Sequence, residues 1–125
     1  ADETDFLVAL TLSEYFGGIN HHDYLQSYNV LAPPLQAVQQ GYDNFASGYA
    51  TTNDSSIVVG NVYDASDGEV EVGLSFTSNQ APMPANYEEQ CTVWSMHYGL
   101  VQNPSRGSPF LIASAENVGP AYQSC

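Results

Sequence analysis

The chain has 125 residues, of which 43% are hydrophobic and 12% aromatic, a composition that fits one globular domain and excludes a wholly disordered chain. It carries 14 acidic residues against a single basic side chain, Arg106, and its formal net charge is −13. Nucleic-acid binding and attachment to anionic lipid surfaces are excluded, because both need several Lys or Arg side chains. No apolar run approaches the roughly 18 residues that span a bilayer, so we expect no membrane insertion.

Helical spacing of apolar residues characterises the first part of the chain. A first helix is predicted over residues 4–16, and Gly17 and Gly18 are expected to end it. Asn20 is the predicted N-cap of a short second helix around Tyr24–Tyr28, which ends before Pro33. Two helices are therefore predicted to open the chain.

A third helix and then a change to extended structure follow. Apolar residues at offsets of three and four predict this helix over residues 35–46, closed by Gly48. After that glycine, β-branched residues and alternation predict extended segments over residues 49–52 and 56–63. The chain thus changes from helices to a sheet near residue 48.

Alternation of apolar and polar residues predicts the rest of the sheet. Residues 70–76 alternate most regularly and mark a half-buried strand. Residues 78–90, rich in Pro and Asn, are expected to form a long loop. A strand over residues 91–101 and a last strand over residues 109–115 complete the sheet.

Three helices followed by four antiparallel strands predict an α+β fold, a single domain in which the helices pack on one face of a strongly curved sheet. The pleat places the apolar residues of segment 70–76 on that helix-facing side, together with three residues of the next strand: Trp94, Met96 and Tyr98. Glu69, Glu71 and His97 then point to the opposite face. We expect a solvated or dimer-facing role for these three.

Four segments carry a resemblance to a known family: residues 23–28, 45–52, 94–100 and 110–115. In this order they resemble the NTF2-like (nuclear transport factor 2-like) superfamily, whose cystatin-like α+β fold is shaped as a cone. The chain is most similar to bacterial extracytoplasmic members, which occur as outer modules of receptor-like Ser/Thr kinases or as lipoproteins. The resemblance also implies a homodimer formed through the open face of the sheet.

The chain has two cysteines, Cys91 and Cys125. An even count, and a cysteine with little packing to do at the last position, favour a disulfide over two unrelated free thiols. Such a bridge predicts an oxidising compartment. We therefore expect an extracytoplasmic protein, secreted or anchored through a segment outside this chain.

The function predicted from these patterns is non-enzymatic sensing, ligand binding or protein interaction. Family enzymes place an acid, a Tyr or a His inside the cone, and no Asp lies in the predicted strands 56–63, 70–76 or 92–100. The expected ligand is small and apolar or amphipathic, with no cofactor. Eight residues are candidates for lining its pocket: Tyr15, Tyr28, Tyr42, Tyr49, Phe76, Trp94, Met96 and Tyr98.

Three alternatives stay open at this point. An isomerase, dehydratase or cyclase of the ketosteroid isomerase or SnoaL type would use Tyr15 with His21 or His22 at the mouth of the cone. The second alternative is a scaffold without a ligand, and the third is aromatic side chains that only fill the core. A metal site at His21, His22 and Asp23 is not expected, because successive helical side chains diverge by about 100°.

Overall fold

A computed structural model describes residues 2–48, 52–64, 69–79, 91–104, 107–117 and 123–124. Within these ranges helices precede an antiparallel sheet, so the predicted α+β class is confirmed. The described residues form four helices rather than the three predicted: α1 (Asp2–Asn20), α2 (Tyr24–Tyr28), α3 (Pro33–Val38) and α4 (Tyr42–Gly48). None of the helices in the described ranges is both long and apolar enough to cross a membrane.

The first helix, α1, continues through Gly17 and Gly18 to Asn20, so the predicted end at residue 16 is wrong. Gly18 is instead a packing residue. A Cβ atom there would lie 2.8 Å from the carbonyl oxygen of Asp23 and 2.9 Å from the backbone nitrogen of Ser27. The missing side chain therefore lets α2 pack directly on α1.

Asp23, and not Asn20, caps α2. The Asp23 side chain accepts a hydrogen bond from the backbone N–H of Gln26 at 3.3 Å. The buried Ser27 hydroxyl of α2 donates to the carbonyl oxygen of Tyr15 in α1. Asn20 is the last residue of α1, and its side chain contacts the sheet.

The predicted third helix is divided into α3 and α4. Gln40 and Gly41 separate the two, with φ angles of 62° and 95° in the left-handed region that ends a helix. Pro33 and Pro34 occupy the first turn of α3, where a missing N–H costs no hydrogen bond. Gly48 is the last residue of α4 rather than the residue that follows it.

The sheet has the order β1-β2-β3-β4, and every neighbouring pair is antiparallel. A short fifth strand pairs with the beginning of β3. The strands are β1 (Asn53–Asp64), β2 (Val70–Asn79), β3 (Cys91–Gln102), β4 (Phe110–Asn117) and β5 (Gln123–Ser124). The predicted extended residues 49–51, most of the predicted loop 78–90 and residues 65–68 lie outside the described residues.

The helices and one face of the sheet enclose the core, and the predicted pleat is confirmed. Val70, Val72, Leu74 and Phe76 are all buried. In register with the last three of these, and on the same face, lie three residues of β3: Tyr98, Met96 and Trp94. Gly73 pairs with His97 on the opposite face.

The two edges of the sheet differ. Beside β4, the backbone N–H of Ala32 donates to the carbonyl of Ile112, and the N–H of Ile112 donates to the carbonyl of Val30, both at 2.8 Å. This segment therefore covers the β4 edge. No strand among the described residues pairs with the outer side of β1.

Candidate functional site

A cavity of about 350 Å³ lies between the helices and the core-facing side of the sheet. The helical part of its wall is mainly aromatic and aliphatic, and the sheet contributes both apolar and polar residues. The lining residues include Tyr15, Phe76, Trp94, Tyr98, Asp54 and Ser78.

Five of the eight candidate residues predicted from the sequence line this cavity: Tyr15, Phe76, Trp94, Met96 and Tyr98. Tyr28 and Tyr42 do not line it. Their rings pack edge to face with centroids 5.7 Å apart, and Tyr28 also packs on Phe45 at 5.5 Å. These two tyrosines therefore join α2 to α4, and Tyr49 lies outside the described residues.

Ring contacts hold the aromatic wall in place. Tyr15 meets Phe16 at 5.1 Å and Tyr98 at 6.5 Å, both in T-shaped geometry. Phe16 meets Phe76 at 4.9 Å, so the contacts link α1 to β2 and β3. Such pairs each stabilise packing by about 0.5–1.5 kcal/mol beyond area burial, so we expect a largely preformed wall.

The polar group that sequence reasoning missed is Asp54, on β1. Its residue is only 5% exposed and lines the cavity beside Thr52 and Ser78. The Ser78 side chain hydrogen-bonds to the carboxylate, while Oδ1 has no hydrogen-bond partner among the described residues. Burial raises the pKa of Asp54 above 3.8, and the Ser78 hydrogen bond opposes this only in part.

Asn20 fixes the position of Asp54. Its side-chain amide donates to the Asp54 carbonyl oxygen at 2.7 Å, and its Oδ1 accepts from the Asp54 N–H at 2.6 Å. Both bonds join the end of α1 to the outer side of an edge strand. The Asp54 backbone is thus held between Asn20 and its register partner Ser78 on β2.

The inward position of Asp54 was not predicted from the sequence for two reasons. The stretch Asn53 to Ser55 has the composition of a turn, so the strand prediction left a gap there. The β1–β2 register also shifts twice, between Ser55 and Val58 and again between Val59 and Val62. Each shift changes the alternation of side chains, so no simple period relates the inward position of Asp54 to the rest of the strand.

None of the three histidines reaches the cavity. His21 and His22 are exposed in the turn after α1, where His22 stacks on Tyr24 at 5.6 Å. His97 lies on the open face as predicted, with its Nε2 atom 3.8 Å from Glu71 Oε1. Within the described ranges, no group of three or more His, Cys, Asp or Glu side chains is placed to hold a metal ion. The structure therefore does not bring Tyr15 together with a histidine.

The chain matches no protein-family model, no curated protein and no solved structure. Its function is therefore inferred from the cavity itself. An apolar enclosure with one buried carboxylate is able to hold a small organic molecule, orient it through a hydrogen bond and accept a proton from it.

Proposed function

We propose that this chain is an NTF2-like domain that binds a small apolar or amphipathic molecule in the cavity between its helices and its sheet. One observation carries the proposal: the cavity measures about 350 Å³ and has aromatic walls with few polar groups. Small-molecule sites typically occupy about 300–1,000 Å³ and share that composition. A scaffold without a ligand is less well supported, because the region between helices and sheet is not packed shut.

The proposed setting is outside the cytoplasm, as a sensing module of a receptor-like kinase or as a lipoprotein. A disulfide between Cys91 and Cys125 is part of this proposal. In support of it, Thr92 pairs with Ser124 and Val93 with Gln123 in antiparallel register. These pairs bring Ser124, the residue before Cys125 in the sequence, beside Thr92, the residue after Cys91.

The binding proposal is tested with naphthylmethanol, a neutral amphipathic probe, by calorimetry and by the fluorescence of the single tryptophan, Trp94. Ala115 on β4 and Ala37 on α3 are both exposed alanines, but only Ala115 lines the cavity. We expect Ala115→Phe to weaken binding at least about tenfold by occupying the cavity, whereas Ala37→Phe leaves it unchanged. Equal effects of the two variants, or no binding of any small probe, would reject the proposal.

A homodimer formed through the open face of the sheet remains part of the proposal. This face carries the half-exposed pair Glu71 and His97. Sedimentation velocity over a concentration series is expected to reveal a species of twice the 13.5 kDa chain mass. A monomer at every concentration, at both low and high salt, would contradict it.

A second candidate function, an enzyme that removes a proton from carbon, is favoured by one observation. Asp54 is buried in the cavity, and its pKa is raised towards the pH at which a general base works best. Tyr15 and Tyr98 line the same cavity and carry hydroxyls able to face a developing oxyanion. The reaction class would be isomerisation or elimination next to a carbonyl.

This candidate is tested by the exchange of deuterium from D₂O into the α-carbon of cyclohexanone, followed by NMR. An enzyme would accelerate exchange, and Asp54→Asn would abolish the acceleration while Asp43→Asn, at an exposed position on α4, would not. If exchange proceeds at the buffer rate with the wild type and with both variants, the enzymatic function is rejected and ligand binding stays as the proposed function.

A further inference from the structure

The described lining of the cavity contains one acidic side chain and no basic side chain. Among the described residues that line it, Asp54 is the only Asp, Glu, Lys, Arg or His. The carboxylate of Asp54 accepts a hydrogen bond from the Ser78 side chain. Its Oδ1 atom has no partner among the described residues, although only 5% of the residue is exposed. Buried carboxylates are normally paired, so the unpaired oxygen indicates that a ligand group belongs beside it.

The walls around this acid suit a positive charge. Tyr15, Phe16, Phe76, Trp94 and Tyr98 line the cavity, and Trp94 and Tyr98 come from the strand next to β2. The faces of aromatic rings attract cations, most strongly in the case of Trp, and the attraction grows when the cation is removed from water. Carboxylate and rings therefore favour the same sign of ligand charge.

The net charge of the whole chain also favours a cationic ligand. With 14 acidic residues and one basic residue, the chain repels anions and concentrates cations near its surface. A neutral ligand would leave the charge of Asp54 uncompensated in the cavity, whereas an anion would add a second negative charge. A cation with an apolar body is the one class that matches both the carboxylate and the walls.

We propose that the ligands of this cavity are small organic amines, with the ammonium group bound to Asp54 Oδ1 and the apolar body packed against the aromatic wall. This inference rests on the proposed binding function and names its ligand class. The Ser78 hydroxyl holds the second carboxylate oxygen, and Asn20 holds the Asp54 backbone. Both act as positioning residues.

The titration of Asp54 gives the proposal a pH signature. Burial raises the pKa of the carboxyl, so at a given pH above 3.8 a larger share of the empty protein carries a proton there than at an exposed Asp. An ammonium ion binds the ionised form and displaces that proton. The other titratable groups that line the cavity are Tyr15 from α1 and Tyr98 from β3, while β2 contributes Ser78.

The test compares three probes that share one ring system: naphthylmethylamine, naphthylmethanol and naphthoate. Their dissociation constants are measured by calorimetry in about 0.15 M salt, which screens long-range surface charge. We expect the amine to bind at least about tenfold more tightly than the alcohol, and naphthoate to bind most weakly. Asp54→Asn removes the advantage of the amine, so that amine and alcohol bind to this variant with affinities within about threefold of each other.

Asp43→Asn is the matched control, because it removes one negative charge at an exposed position. It is expected to leave the preference for the amine intact. Should Asp54→Asn fail to fold, the wild-type protein still decides the matter: amine affinity must rise between about pH 4 and about pH 7 while alcohol affinity stays level.

The outcomes separate this inference from the proposed function. Equal affinities for amine and alcohol overturn the amine class and leave ligand binding in place. Failure of all three probes overturns both. An amine preference that Asp43→Asn removes as fully as Asp54→Asn does would be an effect of surface charge, and it would overturn the inference as well.

Discussion

The side-chain amide of Asn20 binds the backbone of Asp54 as a neighbouring strand would, with one hydrogen bond donated and one accepted. Because β1 has no strand on its outer side within the described ranges, these bonds satisfy backbone groups that would otherwise depend on water. They also fix the point from which the Asp54 side chain enters the cavity. Asn20 of α1 thereby helps to position the carboxylate of Asp54 in the cavity.

We expect Asn20→Ala to lower the free energy of unfolding by about 2 kcal/mol, since two hydrogen bonds contribute about 1 kcal/mol each. Urea unfolding measures this, with exposed Asn29→Ala as the control. The same variant should weaken amine binding more than alcohol binding, because only the amine depends on the position of the carboxylate. An equal loss for both probes would reduce Asn20 to a purely structural role.

The buried carboxyl of Asp54 lowers stability at neutral pH. The pKa of this carboxyl is raised above 3.8 in the folded protein. Its contribution to the free energy of unfolding is therefore most favourable below pH 3.8, and that contribution is lost as the pH rises through the folded pKa. We therefore expect Asp54→Asn to be more stable than the wild type at pH 7. Its free energy of unfolding should be higher by about 1 kcal/mol, and it should unfold at a higher temperature.

Thermal unfolding across a pH series checks this expectation. The advantage of Asp54→Asn should be smallest near pH 3.8 and should grow as the pH rises. Asp43→Asn, which removes an exposed carboxylate, should show no comparable trend. An Asp54→Asn variant that is less stable than the wild type at pH 7 would show that the carboxylate has a stabilising partner.

At the scale of elements, two adjacent glycines in α1 have different roles. A Cβ atom at Gly17 would meet no other atom within 4 Å, whereas one at Gly18 would lie 2.8 Å from the Asp23 carbonyl oxygen. Gly17 is thus an ordinary helix position occupied by a poor helix former. At Gly18 the backbone of α1 lies close to Asp23, the N-cap of α2, and to Ser27 within α2.

We expect Gly17→Ala to stabilise the protein by up to about 1 kcal/mol through helix propensity. Gly18→Ala should destabilise it by about 1–3 kcal/mol, because α2 must move away. Urea unfolding of the two variants measures the difference, and each serves as the control of the other. Similar values for both would show that the α1–α2 contact tolerates a methyl group.

The element predictions succeeded where a segment keeps one periodicity along its whole length. Strand β2 alternates without interruption from Val70 to Phe76, so its buried face followed from the sequence alone. The end of α1 did not, because Gly18 serves a contact with α2 that lies elsewhere in the chain. The inward position of Asp54 was also missed, since the register shifts of β1 are properties of its pairing with β2.

At the scale of the whole molecule, the proposed Cys91–Cys125 bridge would close a loop of about 35 residues. The chain-entropy account gives such a loop about 3–4 kcal/mol of stabilisation. We expect thiol titration of the unreduced, denatured protein to find no free thiol, and reduction to lower the free energy of unfolding by that amount. Two reactive thiols, or no change on reduction, would remove the bridge and the oxidising compartment with it.

The overall class was predictable because helical and alternating patterns occupy separate parts of the chain. The cavity was predictable only through its apolar walls, which share the core-facing side of the sheet with ordinary packing residues such as Leu74 and Val72. Its polar end depends on Asn20 and Asp54, residues 34 positions apart that only the folded chain brings together. Long-range polar pairs of this kind leave no periodic signal in a sequence.

The irregular outer strand β1 affects how the protein behaves when it is crowded. A long, straight, apolar edge would offer a template on which other chains could add strands and aggregate. Strand β1 exposes Val58 and Tyr63, but its register shifts twice and Ser56 adopts a φ of 52°, so the edge is not flat. Mutual repulsion between chains of charge −13 also opposes association. The irregular edge and the net charge therefore both disfavour aggregation through β1.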